Sequence, residues 1–182
     1  ERRPAVDCFL HAPRPALERE RALADWLRDR GSVLVAFSGG VDSAYLAAVA
    51  TRVLGDASLA VTAVSDSYPA EHRAMAERLA REHGLRHEFV RTGEMDIAEY
   101  RANGPDRCYH CKHELYSHLR TLAQHRGFAV VVDGSNADDR GDYRPGRQAA
   151  REFGVESPLD LLGFDKAAIR ERSRALGLPT WD

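Results

Sequence analysis

The stretch SVLVAFSGGVDSAYLAAVA, residues 32–50, constrains the fold more than any other part of the chain. Its first six residues read as a short strand buried on both faces. Residues 41–54 follow as an alanine-rich helical pattern closed by Gly55. Only the polar turn SGGVDS stands between them, so strand and helix meet at a tight junction. The alternation continues downstream. Strands are predicted at 58–64, 86–91 and 128–132, and helices at 16–30, 69–83, after the RCYHC motif, at 147–153 and at 165–176. Strands separated by helices of this length pair in parallel through right-handed crossovers. The expected fold is therefore α/β, a doubly wound parallel sheet with helices on both faces. The leader ERRPAVDCFLHAPRP, residues 1–15, is aperiodic, proline-rich and read as flexible; residues 16–163 form the main domain, and 164–182 begin a C-terminal element.

Composition narrows the function classes. A hydrophobic fraction of 43% and a formal charge of −2 over 182 residues suit a globular chain and disfavour nucleic acid as an electrostatic partner. No apolar run reaches the roughly 18–20 residues of a membrane span, no secretory signal pattern opens the chain, and three cysteines make no disulfide framework. A cytoplasmic location is expected. Because the chain starts at Glu1 and stops just after a helical segment, part of the native sequence is expected to be absent.

In doubly wound sheets, ligands bind outside the carboxyl ends of the strands, where SGGVDS lies. Gly39 and Gly40 permit positive φ and place no Cβ between backbone and ligand. Amides from Gly39 to Ser43 can converge on an anion at the helix N-terminus, with Ser38 and Ser43 adding hydroxyl donors. The spacing differs from GxxxxGK[ST], so transfer of a γ-phosphoryl group is not the natural reading. Asp42 would repel phosphate unless Mg²⁺ bridges the two or its carboxylate caps the helix. The plainer alternative is a glycine turn with Ser38 or Asp42 as a cap, but the turn is dense in features that only anion binding requires. It is read as a pyrophosphate cradle.

SGGVDS after a buried strand resembles the PP-loop of the ATP pyrophosphatases. Four further stretches occur in the matching order: DRCYHCKHELY, DGSNADDRGDYRPG, ESPL and IRERSRALGLPTWD. With them, the chain from about Ala16 onward resembles the LarE type of ATP-dependent sacrificial sulfur transferase. That resemblance implies ATP and Mg²⁺ as cofactors and cleavage of ATP between the α- and β-phosphates. It also implies adenylation of a carboxylate on a nicotinate-derived mononucleotide, followed by sulfur insertion toward a nickel-pincer nucleotide. By the same resemblance Ala36 and Phe37 lie near the adenosine, with Val64 and Ser65 at the end of the second strand; Val41 belongs to the cradle. The family's donor cysteine follows the GLPTWD-like segment, beyond Asp182, so no cysteine of this chain takes that role. The expected partners are a small-molecule nucleotide and further copies of the chain. The alternatives kept open are a tRNA thiolation enzyme and a non-catalytic nucleotide-binding regulator.

Other constellations carry less. Cys108 and Cys111 form one CxxC just before a helix, two ligands where zinc or an iron–sulfur cluster needs four; reduced thiols shaping the cavity are preferred over metal or redox roles. Gly134 would let backbone approach the nucleotide, and Asp138 or Asp133 would share Mg²⁺ with Asp42. Among Arg107, Arg140, Arg144 and Arg147, Arg144 is the first choice to stabilise negative charge developing at the adenylate. Asp42 and Arg144 are thus the catalytic candidates, and Asp42 and Asp138 the metal candidates.

Overall fold

The computed structural model describes residues 15–66, 68–93, 107–141 and 145–179. Cys8 and the rest of the leader, Arg144 and Trp181 lie outside the described residues, as do the side chains of Arg107 and Cys108. The elements run α1 (Ala16–Arg30), β1 (Val33–Ala36), α2 (Val41–Leu54), β2 (Ser58–Val64), α3 (Ala70–Glu82), β3 (His87–Arg91), α4 (Arg107–Arg126), β4 (Val130–Val132), α5 (Pro145–Glu152), α6 (Pro158–Leu161) and α7 (Lys166–Ala175).

Among the described residues the strands form one parallel sheet in the order β3-β2-β1-β4. The chain moves outward from β1 to β3, then returns to place β4 on the other side of β1. The crevice where strand order reverses therefore opens between β1 and β4. Every residue of β1 is buried, as its unbroken apolar run requires. Strand pleating splits the core in two. Val33, Val35, Phe37 and Ala60 join the side chains of α1, α2, α3 and α7. Leu34, Ala36, Leu59 and Val61 join those of α4 and α5 on the opposite face. The doubly wound architecture expected from the alternation is the one observed.

α2 is buried at every position from Ser43 to Ala50. Its alanines let α1 and α7 approach closely. Phe164, Ala168, Ile169 and Leu178, from the region after residue 163, belong to this same core. One polar cluster fastens the three helices: the Tyr45 hydroxyl donates to Glu20 at 2.9 Å, and Arg172 donates to both Glu20 oxygens at 2.9 and 3.1 Å. Burial alone would raise the Glu20 carboxyl, but the Arg172 and Tyr45 hydrogen bonds outweigh it and hold the pKa below its usual value. Replacing Arg172 by alanine is expected to cost about 2 kcal/mol in urea unfolding at neutral pH. The ionised Glu20 stabilises the fold above the ordinary carboxylate pKa, and this contribution is lost as pH falls through the depressed folded value. The Arg172→Ala penalty should shrink over that interval; an unchanged penalty in acid would show that the cluster contributes only packing.

Three local details differ from expectation. β4 starts at Val130 rather than 128, because Phe128 N–H closes α4 on Ala123 O at 2.9 Å after Gly127, at φ 73°. α5 starts at Pro145, whose missing N–H suits a first helical position. Cys108 and Cys111 fall inside α4 rather than before it. No helix among the described residues is long and apolar enough to cross a membrane.

Candidate active site

The turn after β1 is held by its own serines. Ser38 N–H donates to Ser43 Oγ at 3.1 Å, the two hydroxyls lie 3.0 Å apart, and Gly40 N–H donates to Ser38 Oγ at 3.3 Å. Gly39 has φ 82°, a conformation that disfavours any side chain, whereas Gly40 sits at φ −72° and takes no positive φ. Gly40 is the N-cap of α2 and supplies no side-chain cap. The hydroxyls expected to face an anion are thus engaged in shaping the loop, and the first amides of α2 are left to meet the ligand. Val41 offers only its backbone, since its side chain packs on the core.

Asp42, in that first turn, carries the most informative carboxylate. Its Oδ2 accepts from Asn136 Nδ2 at 3.1 Å and pairs with Lys166 Nζ from the start of α7. Its Oδ1 is buried and has no hydrogen-bond partner. Mg²⁺ is commonly held by one or two carboxylates plus phosphate oxygens, so the orphaned Oδ1 beside an uncapped helix N-terminus fits that ion. Among the described residues no cluster of three or more acidic, histidine or cysteine side chains could hold a metal without phosphate oxygens.

The remaining acidic loop is otherwise engaged. Asp138, expected to share the metal, accepts from Lys166 N–H at 2.8 Å and is not among the residues that line the cavity beside the turn. Asp133 is buried and takes four donors: Ser135 N at 3.1 Å, Ser157 Oγ at 2.7 Å, Tyr116 OH at 2.7 Å and Ser135 Oγ at 3.1 Å. A carboxylate so saturated braces the loop and has little capacity left for a metal. Gly134 permits a close approach, and the neighbour is protein: a Cβ there would stand 2.9 Å from Ser43 N.

Beside the turn lies a cavity of about 420 Å³. Ala36, Phe37, Ser38, Asp42, Ser43 and Gly134 line it, so the structure brings these expected residues together. On the second strand its wall is Val61, Thr62 and Ala63, not Val64 and Ser65. The difference lies along the strand: Val61, Thr62 and Ala63 of β2 border the cavity, and Val64 and Ser65 come after them. Thr62 donates to Phe37 O at 2.7 Å and contacts His87 Nε2 at 2.7 Å, tying the floor to the strand before the turn. Burial lowers the His87 pKa.

Cys111, Asp139, Lys112, Tyr68 and Arg147 also face the cavity. Lys112 and Tyr68 escaped the sequence reading because nothing in helical spacing separates a cavity lysine from a solvated one. Lys166 left no signal at all, standing 124 residues from Asp42.

Comparison with known proteins agrees with this fold. The asparagine synthase family model matches residues 18–139, two thirds of the chain. The chain belongs to the asparagine synthase family. The chain is 36% identical over 165 residues to the pyridinium-3,5-bisthiocarboxylic acid mononucleotide synthase of Lactiplantibacillus plantarum, covering 90% of this chain and 60% of that one. The similarity to the LarE type expected from the ordered motifs is thereby supported. It is also 49% identical over 149 residues to an uncharacterized protein of Synechocystis, covering 82% of this chain and 56% of that one. The chain thus spans little more than half the length of these relatives. Two solved structures share the fold. NMN synthetase from Francisella tularensis has a TM-score of 0.72 at 19% identity, covering 92% of this chain and 74% of that one. The NH3-dependent NAD synthetase of Campylobacter jejuni has a TM-score of 0.71 at 15% identity, covering 90% and 74%.

Proposed function

We propose that the chain is the ATP-activating part of an enzyme that adenylates a carboxylate on a pyridinium mononucleotide, ahead of sulfur insertion in nickel-pincer nucleotide synthesis. One observation carries the ATP half of this reading: the first turn of α2, which no side chain caps, borders one cavity through Asp42 and Ser43, and Asp42 keeps one oxygen without a partner. The relative of L. plantarum supports the substrate class.

In this reading the amides at the start of α2 hold the phosphates of ATP, and Ala36, Phe37 and Ala63 line the apolar part of the cavity beside them. Asp42 and the phosphate oxygens would hold Mg²⁺, which when bound neutralises phosphate charge. A substrate carboxylate oxygen attacks the α-phosphorus, the bond from that phosphorus to the α–β bridging oxygen breaks, and pyrophosphate leaves with the electron pair. The acyl adenylate so formed makes a poor electrophile reactive, because AMP is a far better leaving group than oxide. Lys112 is placed in the cavity wall to offset the added negative charge. Arg144 remains a candidate for the same task.

The test is phosphorus NMR of the full-length protein with Mg·ATP and carboxylated nicotinate mononucleotide. AMP and pyrophosphate, formed only when that substrate is present, are the expected products. ADP with phosphate, or AMP release indifferent to the pyridinium nucleotide, would refute the proposal.

A further inference from the structure

Arg147, in the first turn of α5, lines the cavity with its side chain 29% exposed, and its Nη2 donates to Asp160 Oδ2 at 2.6 Å. Asp160 is only 14% exposed and is fixed from three further directions. Arg140 donates to its Oδ1 through Nε and to its backbone oxygen through Nη2, and its own N–H donates to Ser135 O at 3.1 Å. Ser135 itself lines the cavity. The carboxylate therefore sits in the loop system that builds the site, and it holds one guanidinium against the cavity while a second clamps it from outside.

Charge decides what this arrangement can do. Two guanidinium groups share one carboxylate, so among these three side chains one positive charge is in excess. Among the described residues lining the cavity, the acidic groups are otherwise engaged: Asp133 by its four donors, Asp42 by Lys166, and Asp139 in part by Asn136 N–H at 3.0 Å. A guanidinium presents five N–H donors, and Asp160 takes one of those on Arg147. A planar fork fixed at one corner is preorganised for a second oxyanion. The phosphates of ATP have their own donors at the start of α2, on a different element.

We infer that Arg147 is the specificity-determining donor for an oxyanion of the second, non-ATP substrate, and that Asp160 is the positioning residue that aims it. The inference rests on the proposed adenylation of a pyridinium nucleotide and adds the residue that recognises that substrate. Arg140 acts only through Asp160.

Calorimetric titration of the full-length protein, saturated with α,β-methylene-ATP and Mg²⁺, tests this. The probes are nicotinate mononucleotide, nicotinamide mononucleotide and nicotinate riboside. Arg147→Met is expected to weaken nicotinate mononucleotide by at least about tenfold, the scale of one charge-assisted hydrogen bond, and to leave the ATP analogue unaffected. Asp160→Asn should reproduce part of that loss, and the double variant should bind no more weakly than Arg147→Met alone. Arg147→Lys, which keeps charge without the fork, should recover part of it and covers the case in which the methionine variant folds poorly. Persistence of the effect on nicotinamide mononucleotide assigns the contact to phosphate; persistence on nicotinate riboside assigns it to carboxylate. Equal binding by wild type and Arg147→Met overturns the inference and leaves the proposed function standing. Loss of the ATP analogue in step with the nucleotide also overturns it, since Arg147 would then serve ATP. Failure of the wild type to bind any of the three probes overturns both.

Discussion

Gly134→Ala is expected to dismantle the nucleotide site. The added Cβ would lie 2.9 Å from Ser43 N, 3.1 Å from the Asp42 carbonyl carbon and 3.2 Å from Asp42 Cβ. These are parts of the first turn of α2 and cannot rotate away as a flexible side-chain tip would. The loop after β4 must therefore shift, carrying Asn136 off Asp42 and disturbing the amides meant for phosphate. Overpacking of this kind costs about 1–3 kcal/mol. Misalignment of several charge-assisted donors should weaken ATP by about a hundredfold. Calorimetry with α,β-methylene-ATP, read beside a thermal melt, measures both. Gly141→Ala is the control, because among the described residues, its chain neighbours aside, no atom lies within 4 Å of a Cβ at that glycine. If Gly134→Ala bound the analogue like wild type, the close approach would be incidental to the site.

Asp42→Asn should have the next largest effect, and of a different kind. The substitution keeps the side chain's size and the chance to bond Asn136, but removes the charge that meets Lys166 and fits Mg²⁺. Turnover is expected to fall about a hundredfold, the scale of one lost electrostatic contact in a preorganised site. ATP binding should lose its response to Mg²⁺. Stability should change little, since Lys166 is 39% exposed and can be hydrated once its partner is gone. Lys166→Met should also reduce turnover, and the double variant should be no worse than Asp42→Asn alone, because the two groups act as a unit. Calorimetric ATP titrations at several Mg²⁺ concentrations supply the deciding curve. An Asp42→Asn protein with a wild-type response to Mg²⁺ would remove Asp42 from any metal role.

The strand, turn and helix of residues 32–54 were legible because everything that specifies them is local. An apolar run sets β1, Gly39 permits the positive φ, and an alanine-rich helical run makes α2 a buried helix. That SGGVDS lies at the carboxyl edge of a parallel sheet also followed from alternation, whereas the reversal of strand order between β1 and β4 is seen only in the fold. Placing SGGVDS at that edge therefore needed no tertiary information.

What failed to read out was always a matter of which group meets which across the fold. Val64 and Ser65 were expected near the nucleotide, whereas Val61, Thr62 and Ala63 line the cavity, because the strand register between β1 and β2 is not revealed by sequence position. Asp138, Asp139 and Asp133 look interchangeable in one acidic loop, yet one binds the Lys166 backbone, one faces the cavity and one is saturated by four donors. Lys166 reaches Asp42 only because α7 packs on α2. The sequence by itself determined where the proposed phosphate cradle lies, since a helix N-terminus and its turn are properties of a few adjacent residues. The tertiary structure decided which charges remain available there, since each carboxylate's role depends on donors brought in from distant segments when the core closes.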